Sequence, residues 1–375
     1  MSSHTGNIFV VGMHRSGTSA LSGLLVKMGA YFGPEDKQLP AEKANPKGYW
    51  ERWDVITGND LLLADYKLEW HRVSEYRPLQ FENTPLERVR EVLGSMVEDY
   101  NLNQPWFVKD PRICLTLPCW RKLVENPVCV LVVRDPLQVA HSLESRGDCS
   151  IHTGLGLWEC YTGAAFWNTR DCPRIILHYE NVLREPEAEL TRMLEFFNRN
   201  GVSGLCVPDK STIQSWIDSN LQREQVRVDS TIDVLNSRQK ELHLAILDGT
   251  ALTWKTPWKI SNGGLMALKS FEKQYLTLLN EKNNLVIRNA HLESEIEFVR
   301  VFKRDILAWN RDLEHCANVL ADSATYKWSR RLLKTWCKIT GRAEPSSPYD
   351  RLRDIITAQK NIEGLEAPGE NSDQK

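Results

Sequence analysis

The feature that most constrains the fold is a glycine-containing loop between a short apolar segment and a segment of helical periodicity. Residues 7–12 (NIFVVG) are apolar without alternation, which is typical of a strand buried on both faces. Gly12 is followed after four residues by Gly17, Thr18 and Ser19. In a loop of this spacing, backbone N–H groups converge on an anion, and the following helix adds the partial positive charge of its N-terminus. The sequence therefore predicts a strand, a phosphate-binding loop and a helix.

The residues inside this loop indicate which anion it binds. A Walker loop has a lysine after its second glycine, and this lysine reaches the β- and γ-phosphates of a nucleoside triphosphate. Thr18 occupies that position here, and Arg15 places a cation inside the loop instead. The loop is therefore expected to bind a single phosphate with a charged group beyond it.

Three further apolar segments predict the rest of a parallel sheet. They cover residues 106–108, 128–133 and 174–177, and segments of helical character lie between and after them. Strands that alternate with helices are typical of a parallel sheet with helices on its faces. We predict an α/β domain of the P-loop type, with three layers (α/β/α), over residues 1–255.

A second candidate phosphate contact follows the strand at residues 128–133. Arg134 comes at its carboxyl end, and Ser142 lies eight residues later in the next helix. Ligands of open parallel sheets bind at the carboxyl ends of strands, so Arg134 and the glycine loop can face one crevice. An arginine with a nearby hydroxyl group is able to bind a second phosphate. Taken alone, Arg-Asp-Pro after a strand can equally be a structural turn.

Together these segments resemble the sulfotransferases that use 3′-phosphoadenosine-5′-phosphosulfate (PAPS), particularly the bacterial and carbohydrate-modifying branch. The matching segments follow the family's order over residues 7–198: FVVGMHRSGTSAL, NPKGYWE, WFVKDPR, VLVVRDPLQVAHSL and ILHYENVLREPEAEL. The resemblance implies a P-loop fold and transfer of a sulfuryl group to a hydroxyl, with PAPS as donor and no metal.

The resemblance also implies roles for individual residues. Those implied to bind the 5′-phosphosulfate form the glycine loop: Arg15, Ser16, Gly17, Thr18 and Ser19. Arg134 and Ser142 would bind the 3′-phosphate that distinguishes PAPS from ATP, and Tyr179 would lie near the adenine or would be a core tyrosine. Arg15 stands where the family usually has a lysine that contacts the bridging oxygen. Because arginine stays protonated at neutral pH, we expect Arg15 to stabilise charge and not to act as an acid.

The general base is the least constrained part of the predicted site. Related carbohydrate enzymes use a glutamate on the segment after the first helix, which makes Glu51 the first choice. A base must come within about 3 Å of the acceptor hydroxyl, which leaves other candidates open. These alternatives are His14, His71 and Asp110. Lys109 is also predicted to be catalytic. Lys109 and Arg112 follow the second predicted strand, where we expect them either to bind the sulfonate or an acidic acceptor or to form a structural ion pair.

Composition limits the other functions that the chain can have. It has 47 Lys and Arg against 49 Asp and Glu, whereas a general nucleic-acid binder usually carries a basic excess, so no nucleic-acid partner is predicted. The nine cysteines contain no CxxC pair, which argues against zinc ribbons and suits a reducing compartment. No signal peptide and no apolar stretch of roughly 18 residues is visible, so we predict a cytoplasmic protein.

The sequence changes character after residue 255. From 265 to 340 it contains no Pro or Gly, and apolar residues recur every seven positions: Phe271, Leu278, Leu285, Leu292, Val299, Ile306, Leu313 and Leu320. This period is typical of a coiled coil, although the partner positions are largely polar. We predict a long coiled-coil-like helix that either mediates homo-oligomerisation through residues 265–320 or lies along the first domain.

Residues 327–342 form a basic, amphipathic end to this helical segment. Its basic residues have no acidic residue among them: Lys327, Arg330, Arg331, Lys334, Lys338 and Arg342. Such a segment can lie peripherally on an anionic membrane surface or can form a solvated helix face. Residues 343–375 are largely polar, and we predict that this tail is partly disordered.

These observations predict a PAPS-dependent sulfotransferase that acts on a hydroxyl of a glycan or glycolipid. Trp-rich stretches at residues 50–53 and 158–167 weakly favour a carbohydrate acceptor. Two alternatives stay open. A nucleotide-kinase-like phosphotransferase of the P-loop type would be expected to carry the Walker lysine, and a non-catalytic nucleotide-binding adaptor would use the long helix to recruit partners.

Overall fold

The computed structural model describes residues 6–40, 48–217, 233–345, 350, 351 and 354. The chain divides into two compact units, Met1–Thr277 and Leu278–Lys375. The first unit therefore extends beyond residue 255, the predicted end of the first domain, and includes the start of the long helix. Most of the predicted tail at 343–375 lies outside the described residues.

A parallel sheet forms the centre of the first unit. Its four strands are β1 (Asn7–Val11), β2 (Trp106–Lys109), β3 (Val128–Val133) and β4 (Arg174–His178), in the order β2–β1–β3–β4. Phe9 of β1 pairs with Val108 on one side and with Cys129 on the other. All four strands run parallel, so their carboxyl ends lie at one edge of the sheet. The predicted strands are confirmed.

Helices cover both faces of this sheet. In chain order they are α1 (Thr18–Lys27), α2 (Trp53–Ala64), α3 (Pro78–Glu82), α4 (Leu86–Asn101), α5 (Ile113–Trp120), α6 (Pro136–Ser145), α7 (Ile151–Asn168), α8 (Tyr179–Arg184), α9 (Pro186–Arg199), α10 (Lys210–Trp216) and α11 (Ser237–Leu247). Short 3₁₀ helices lie at Glu35–Lys37 and Thr250–Thr253. The predicted α/β architecture is confirmed.

The sheet separates two hydrophobic cores because successive residues of a strand point to opposite faces. Ile8 and Val10 of β1 pack with apolar residues of α1, α9 and α10. Phe9 and Val11 pack with those of α2, α4, α5 and α7. The result is the three-layer arrangement expected from the sequence.

A buried carboxylate ties the end of the first unit to α7. Glu159 is fully buried and accepts hydrogen bonds from the Ser261 backbone N–H (2.6 Å) and Oγ (2.7 Å). Gln239 Nε2 and Trp258 Nε1 also donate to it, each at 3.2 Å. These contacts fix the segment that leads into the long helix.

The predicted long helix is present as α12 (Asn262–Asp322), followed by α13 (Ala324–Thr340). At its start, Glu272 accepts hydrogen bonds from Ser74 N (2.8 Å) and Ser74 Oγ (2.6 Å), within the first unit. In the second unit, every residue from 281 to 300 is exposed. No helix in the described parts of the chain is both long and apolar enough to span a membrane. Pairing of α12 with a second copy stays a prediction.

Candidate active site

The loop between β1 and α1 is shaped by two residues of left-handed backbone. Arg15 has φ +67° and Gly17 has φ +91°. Gly17 is the N-cap of α1 and offers no side chain to the first N–H groups of this helix. Because these groups have no partner inside the helix, they are available to an anion in the loop.

Both glycines of the loop allow a close approach that a side chain would block. A Cβ atom on Gly12 would lie 2.6 Å from the Val132 carbonyl oxygen. A Cβ atom on Gly17 would lie 2.1 Å from Cδ2 of Tyr179. The loop therefore packs directly on β3 and on the Tyr179 ring, which brings the residues after β3 and β4 to it.

On the β3 side of the loop, the structure brings together the residues predicted to bind the 3′-phosphate and the adenine. Arg15 Nε donates to Ser142 Oγ at 2.8 Å, and Arg134 donates to the Arg15 carbonyl oxygen at 3.0 Å. The Arg134 guanidinium lies 5.0 Å from the centre of the Tyr179 ring. The Arg15 side chain thus contacts the predicted 3′-phosphate residue Ser142, while its backbone belongs to the loop.

The Arg-Asp-Pro sequence after β3 also forms a structural turn, which was the alternative interpretation of this motif. The Asp135 carboxylate caps α6 by accepting from the N–H groups of Leu137 and Gln138, both at 3.0 Å. Pro136 occupies the first turn, where its missing N–H costs nothing. This cap sets the direction of α6 and so holds Ser142 beside Arg15.

On the β2 side of the loop, Lys109 is the central cation. Its side chain is 2% exposed, and its Nζ donates to Ser19 Oγ (3.1 Å) and to the Tyr49 carbonyl oxygen (2.9 Å). It also forms an ion pair with Glu51. A buried ammonium group needs such partners, since it has lost its hydration. Lys109 therefore joins the start of α1 to the segment that carries Glu51.

A residue that the sequence analysis missed holds this segment in place. Arg52 is fully buried and donates to both Asp54 oxygens (3.0 and 2.7 Å) and to Asp99 (2.7 Å). Its guanidinium also stacks on the Tyr100 ring, 4.3 Å from the centre. A pattern of neighbouring residues could not identify it, because two of these partners come from α4.

Among the alternative bases, His14 lies within the loop itself, and one of its ring nitrogens has no hydrogen-bond partner in the described structure. Its ring packs on Trp70 (4.8 Å between centres) and Tyr161 (5.7 Å), and its Nε2 is enclosed without a hydrogen-bond partner among the described residues. Burial, and then the positive charges of Arg112, Lys109, Arg146 and Arg15, hold the pKa of His14 well below its usual value. A neutral imidazole can accept a proton or a hydrogen bond.

The other two rival bases lie in different environments. Asp110 is fully buried and accepts from Asn59 Nδ2 (2.8 Å) and from the Arg112 guanidinium (3.0 Å). Arg112 therefore forms the structural ion pair that was one of its two predicted roles. His71 contacts the rings of Trp70 and Tyr275, and burial lowers its pKa.

Cations and hydroxyl groups lie on both sides of the loop. Arg134 and Ser142 follow β3, and Lys109, the last residue of β2, donates to Ser19 Oγ. The order β2–β1–β3 explains this placement, because the β1 loop lies between the ends of the two neighbouring strands. In the described residues, no group of His, Cys, Asp and Glu is placed to hold a metal ion.

A family model described as "Sulfotransferase family" matches residues 7–201. The chain is similar to the sulfotransferase domain of the Synechococcus PCC 7002 olefin synthase, with 15% identity, 72% of this chain and 96% of that chain covered, and a TM-score of 0.31. A sulfotransferase domain from the curacin biosynthetic pathway has 15% identity, coverages of 72% and 98%, and a TM-score of 0.33. Sulfotransferase STF1 from Mycobacterium tuberculosis H37Rv has 13% identity, coverages of 61% and 76%, and a TM-score of 0.34. A search of curated proteins finds no match.

Proposed function

This chain belongs to the sulfotransferase family, and from that premise we propose that it transfers a sulfuryl group from PAPS to a hydroxyl of a glycan or glycolipid. The observation that carries the proposal is that two separate sets of cationic and hydroxyl groups flank the loop: Arg134 and Ser142 contact Arg15, and Lys109 contacts Ser19 at the start of α1. PAPS has two separate anionic ends, a 5′-phosphosulfate and a 3′-phosphate. ATP lacks the 3′-phosphate and carries a longer chain of phosphates at its 5′ end.

In this proposal the loop backbone and Ser19 bind the 5′-phosphosulfate. Arg134 and Ser142 bind the 3′-phosphate, with Arg15 able to serve both ends because its side chain already contacts Ser142. Tyr179 lies against the loop and under Arg134, a position that suits a contact with the adenine. An arginine and a hydroxyl together suit a phosphate dianion, since charge-assisted hydrogen bonds are the strong ones.

The chemistry follows from where charge develops during transfer. PAPS supplies the activated sulfuryl group. The acceptor oxygen forms a bond to sulfur while the bond from sulfur to the bridging oxygen breaks, and the electron pair stays on the phosphate of adenosine 3′,5′-bisphosphate. Arg15 and Lys109 stabilise this negative charge, and the protein aligns the two reactants. The acceptor's proton passes to a base.

Glu51 is the base that we propose. Its ion pair with Lys109 places the carboxylate beside Ser19 and the start of α1, next to the loop. His14 is the alternative, because it lies within the loop and its Nε2 makes no hydrogen bond in the described structure. Burial and neighbouring cations lower its pKa, which keeps the imidazole neutral but makes it a weaker base. The two assignments predict different outcomes for the same pair of substitutions.

Transfer of label from [³⁵S]PAPS to a panel of glycans and glycolipids tests the function. The wild-type chain should label an acceptor, and Arg15→Ala should abolish turnover while leaving some binding of adenosine 3′,5′-bisphosphate. Glu51→Gln should bind this product normally and lose about 10²- to 10⁴-fold in kcat, the usual contribution of a general base. Glu87→Gln, at an exposed position of α4, is the matched control and should retain full activity.

Other results would redirect the assignment. If His14→Gln loses this rate and Glu51→Gln does not, His14 is the base. Hydrolysis of ATP by the wild-type chain, without transfer from PAPS, would favour the phosphotransferase alternative. Nucleotide binding without turnover on any acceptor would favour the adaptor.

A further inference from the structure

Helix α13 (Ala324–Thr340) carries an exposed apolar stripe. Its four members are between 48% and 79% exposed: Trp328, Leu332, Trp336 and Ile339. At 100° per residue they fall within an arc of about 80° on the helix. Large apolar side chains that share one exposed face of a helix mark an interaction surface.

The opposite side of α13 is basic. Five cations lie on a second arc of about 100° by the same helix geometry: Lys327, Arg330, Arg331, Lys334 and Lys338. Lys327 pairs with Asp322 (2.9 Å) and Arg330 with Glu344 (2.9 Å). No acidic group in the described part of the chain forms an ion pair with the other three, and Arg342 adds a sixth cation just after the helix. The helix therefore carries an uncompensated positive charge opposite its apolar stripe.

We propose that α13 lies flat on an anionic lipid bilayer, with the apolar stripe in the interface and the basic residues on the headgroups. Helices that bind membrane surfaces combine Trp and Leu on one face with Lys and Arg on the other. Tryptophan favours the boundary between headgroups and acyl chains, and long basic side chains extend from a half-inserted helix to anionic headgroups. The apolar stripe and the basic residues of α13 can therefore contact the same bilayer surface.

The charge on α13 also favours a bilayer over a second copy of this helix as the occupant. Two copies that paired through the stripe would leave the five cations of each basic arc on the outer faces of the pair, without counter-charge. In the described residues only Lys327 and Arg330 of α13 have an acidic partner. An anionic surface accounts for both arcs, because it supplies counter-charge along the whole helix.

Co-sedimentation of the full-length chain with vesicles tests this proposal. The probes are large vesicles of phosphatidylcholine alone and of phosphatidylcholine mixed equally with phosphatidylserine. We expect binding to the mixed vesicles to be at least about tenfold stronger than to the neutral ones, and to weaken in high salt. Equal binding to both kinds of vesicle, or to neither, would overturn the proposal.

Three double variants separate the contributions of the stripe and the charges. Trp336→Gln with Ile339→Gln should lower binding to the mixed vesicles at least about tenfold, and Lys334→Gln with Lys338→Gln should lower it by a similar factor. The control is Leu285→Gln with Ile287→Gln, which removes two exposed apolar side chains from α12 and should leave binding unchanged.

Circular dichroism and binding of adenosine 3′,5′-bisphosphate report whether each variant is folded. If both α13 variants fold and still bind the mixed vesicles like the wild type, the proposal is wrong. A loss as large in the α12 control would also contradict it. If the Trp336 and Ile339 substitutions leave vesicle binding intact and shift the chain from oligomer to monomer, the stripe contacts a second copy instead.

Discussion

The two units of the chain use apolar residues in opposite ways. In the first unit, apolar residues of β1 and β3 such as Phe9 and Val130 are completely buried between helices. In the second unit, apolar residues recur every seven positions along α12, yet Leu285 is 60% exposed and every residue from 281 to 300 is exposed. An apolar period therefore predicts where a helix lies. Burial depends on whether another element covers the apolar face.

Charged residues of the two units also differ in how deeply they are buried and in how many partners they have. In the first unit, buried charges such as Arg52 and Lys109 have several specific partners. In the second unit, ion pairs such as Arg300–Glu297 and Lys327–Asp322 join exposed side chains. Buried polar contacts contribute strongly because an unpaired buried group is costly, whereas exposed pairs contribute little. The comparison can be tested by matched substitutions in the two units.

The largest expected effect is at Glu159. Glu159→Ala removes the acceptor from several buried donors at once and should lower the free energy of unfolding by about 3 to 5 kcal/mol. Glu281→Ala, at an exposed position of α12, should change it by less than about 0.5 kcal/mol. Urea denaturation of the full chain measures both. Similar losses in the two variants would remove the contrast between the units.

The next largest effect is expected when a leucine of the core is replaced, compared with an exposed leucine of the seven-residue repeat on α12. Leu157→Ala, on α7 in the core, should cost about 3 kcal/mol, because it leaves a cavity. Leu285→Ala should cost less than about 0.5 kcal/mol in a monomer. If α12 pairs with a second copy, the melting temperature should instead rise with protein concentration, and Leu285→Ala should weaken that dependence. Melting curves over a range of concentrations distinguish the two results.

The smallest expected effect is the pH dependence of stability at His14. Burial and nearby cations lower the pKa of His14 in the folded state, so the unfolded chain takes up a proton first as the pH falls. The contribution of His14 to stability is therefore fully present above its unfolded pKa of about 6.5 and is lost as the pH falls below that value. His14→Gln should lose less stability than the wild type over this range. Parallel denaturation curves at each pH measure the difference, and identical losses would contradict it.

Much of the fold could be predicted because the strands are continuous apolar segments between turn residues. The strand at Val128–Val133 was predicted at its observed limits. Helix α2 was expected only as part of a segment of helical character, and it begins at Trp53. Its first turns contain Gly58, where an added Cβ would lie 2.9 Å from Met96 on α4. Close packing against another helix, and not an apolar period, explains that part of α2.

The candidate site could be predicted only where the chemistry follows a strand end. Arg134 directly follows β3, and Lys109 is the last residue of β2. Predicting these strands therefore also predicted that the two side chains lie at the same edge of the sheet. Arg52 was missed because its partner Asp99 lies on α4 and is 47 residues away in the sequence. The contact of Arg15 with Ser142, 127 residues apart, depends on the same tertiary packing. Neither contact leaves a pattern in neighbouring residues.

The most direct test of the proposed function is calorimetric binding of adenosine 3′,5′-bisphosphate, with adenosine 5′-monophosphate and ATP as comparisons. We expect micromolar binding of the bisphosphate and at least about tenfold weaker binding of the monophosphate, since a charge-assisted phosphate contact contributes about 1.5 to 3 kcal/mol. Arg134→Ala should remove that difference while leaving the monophosphate affinity unchanged. Equal affinity of the wild-type chain for the bisphosphate and the monophosphate, or a preference for ATP, would contradict the proposed function.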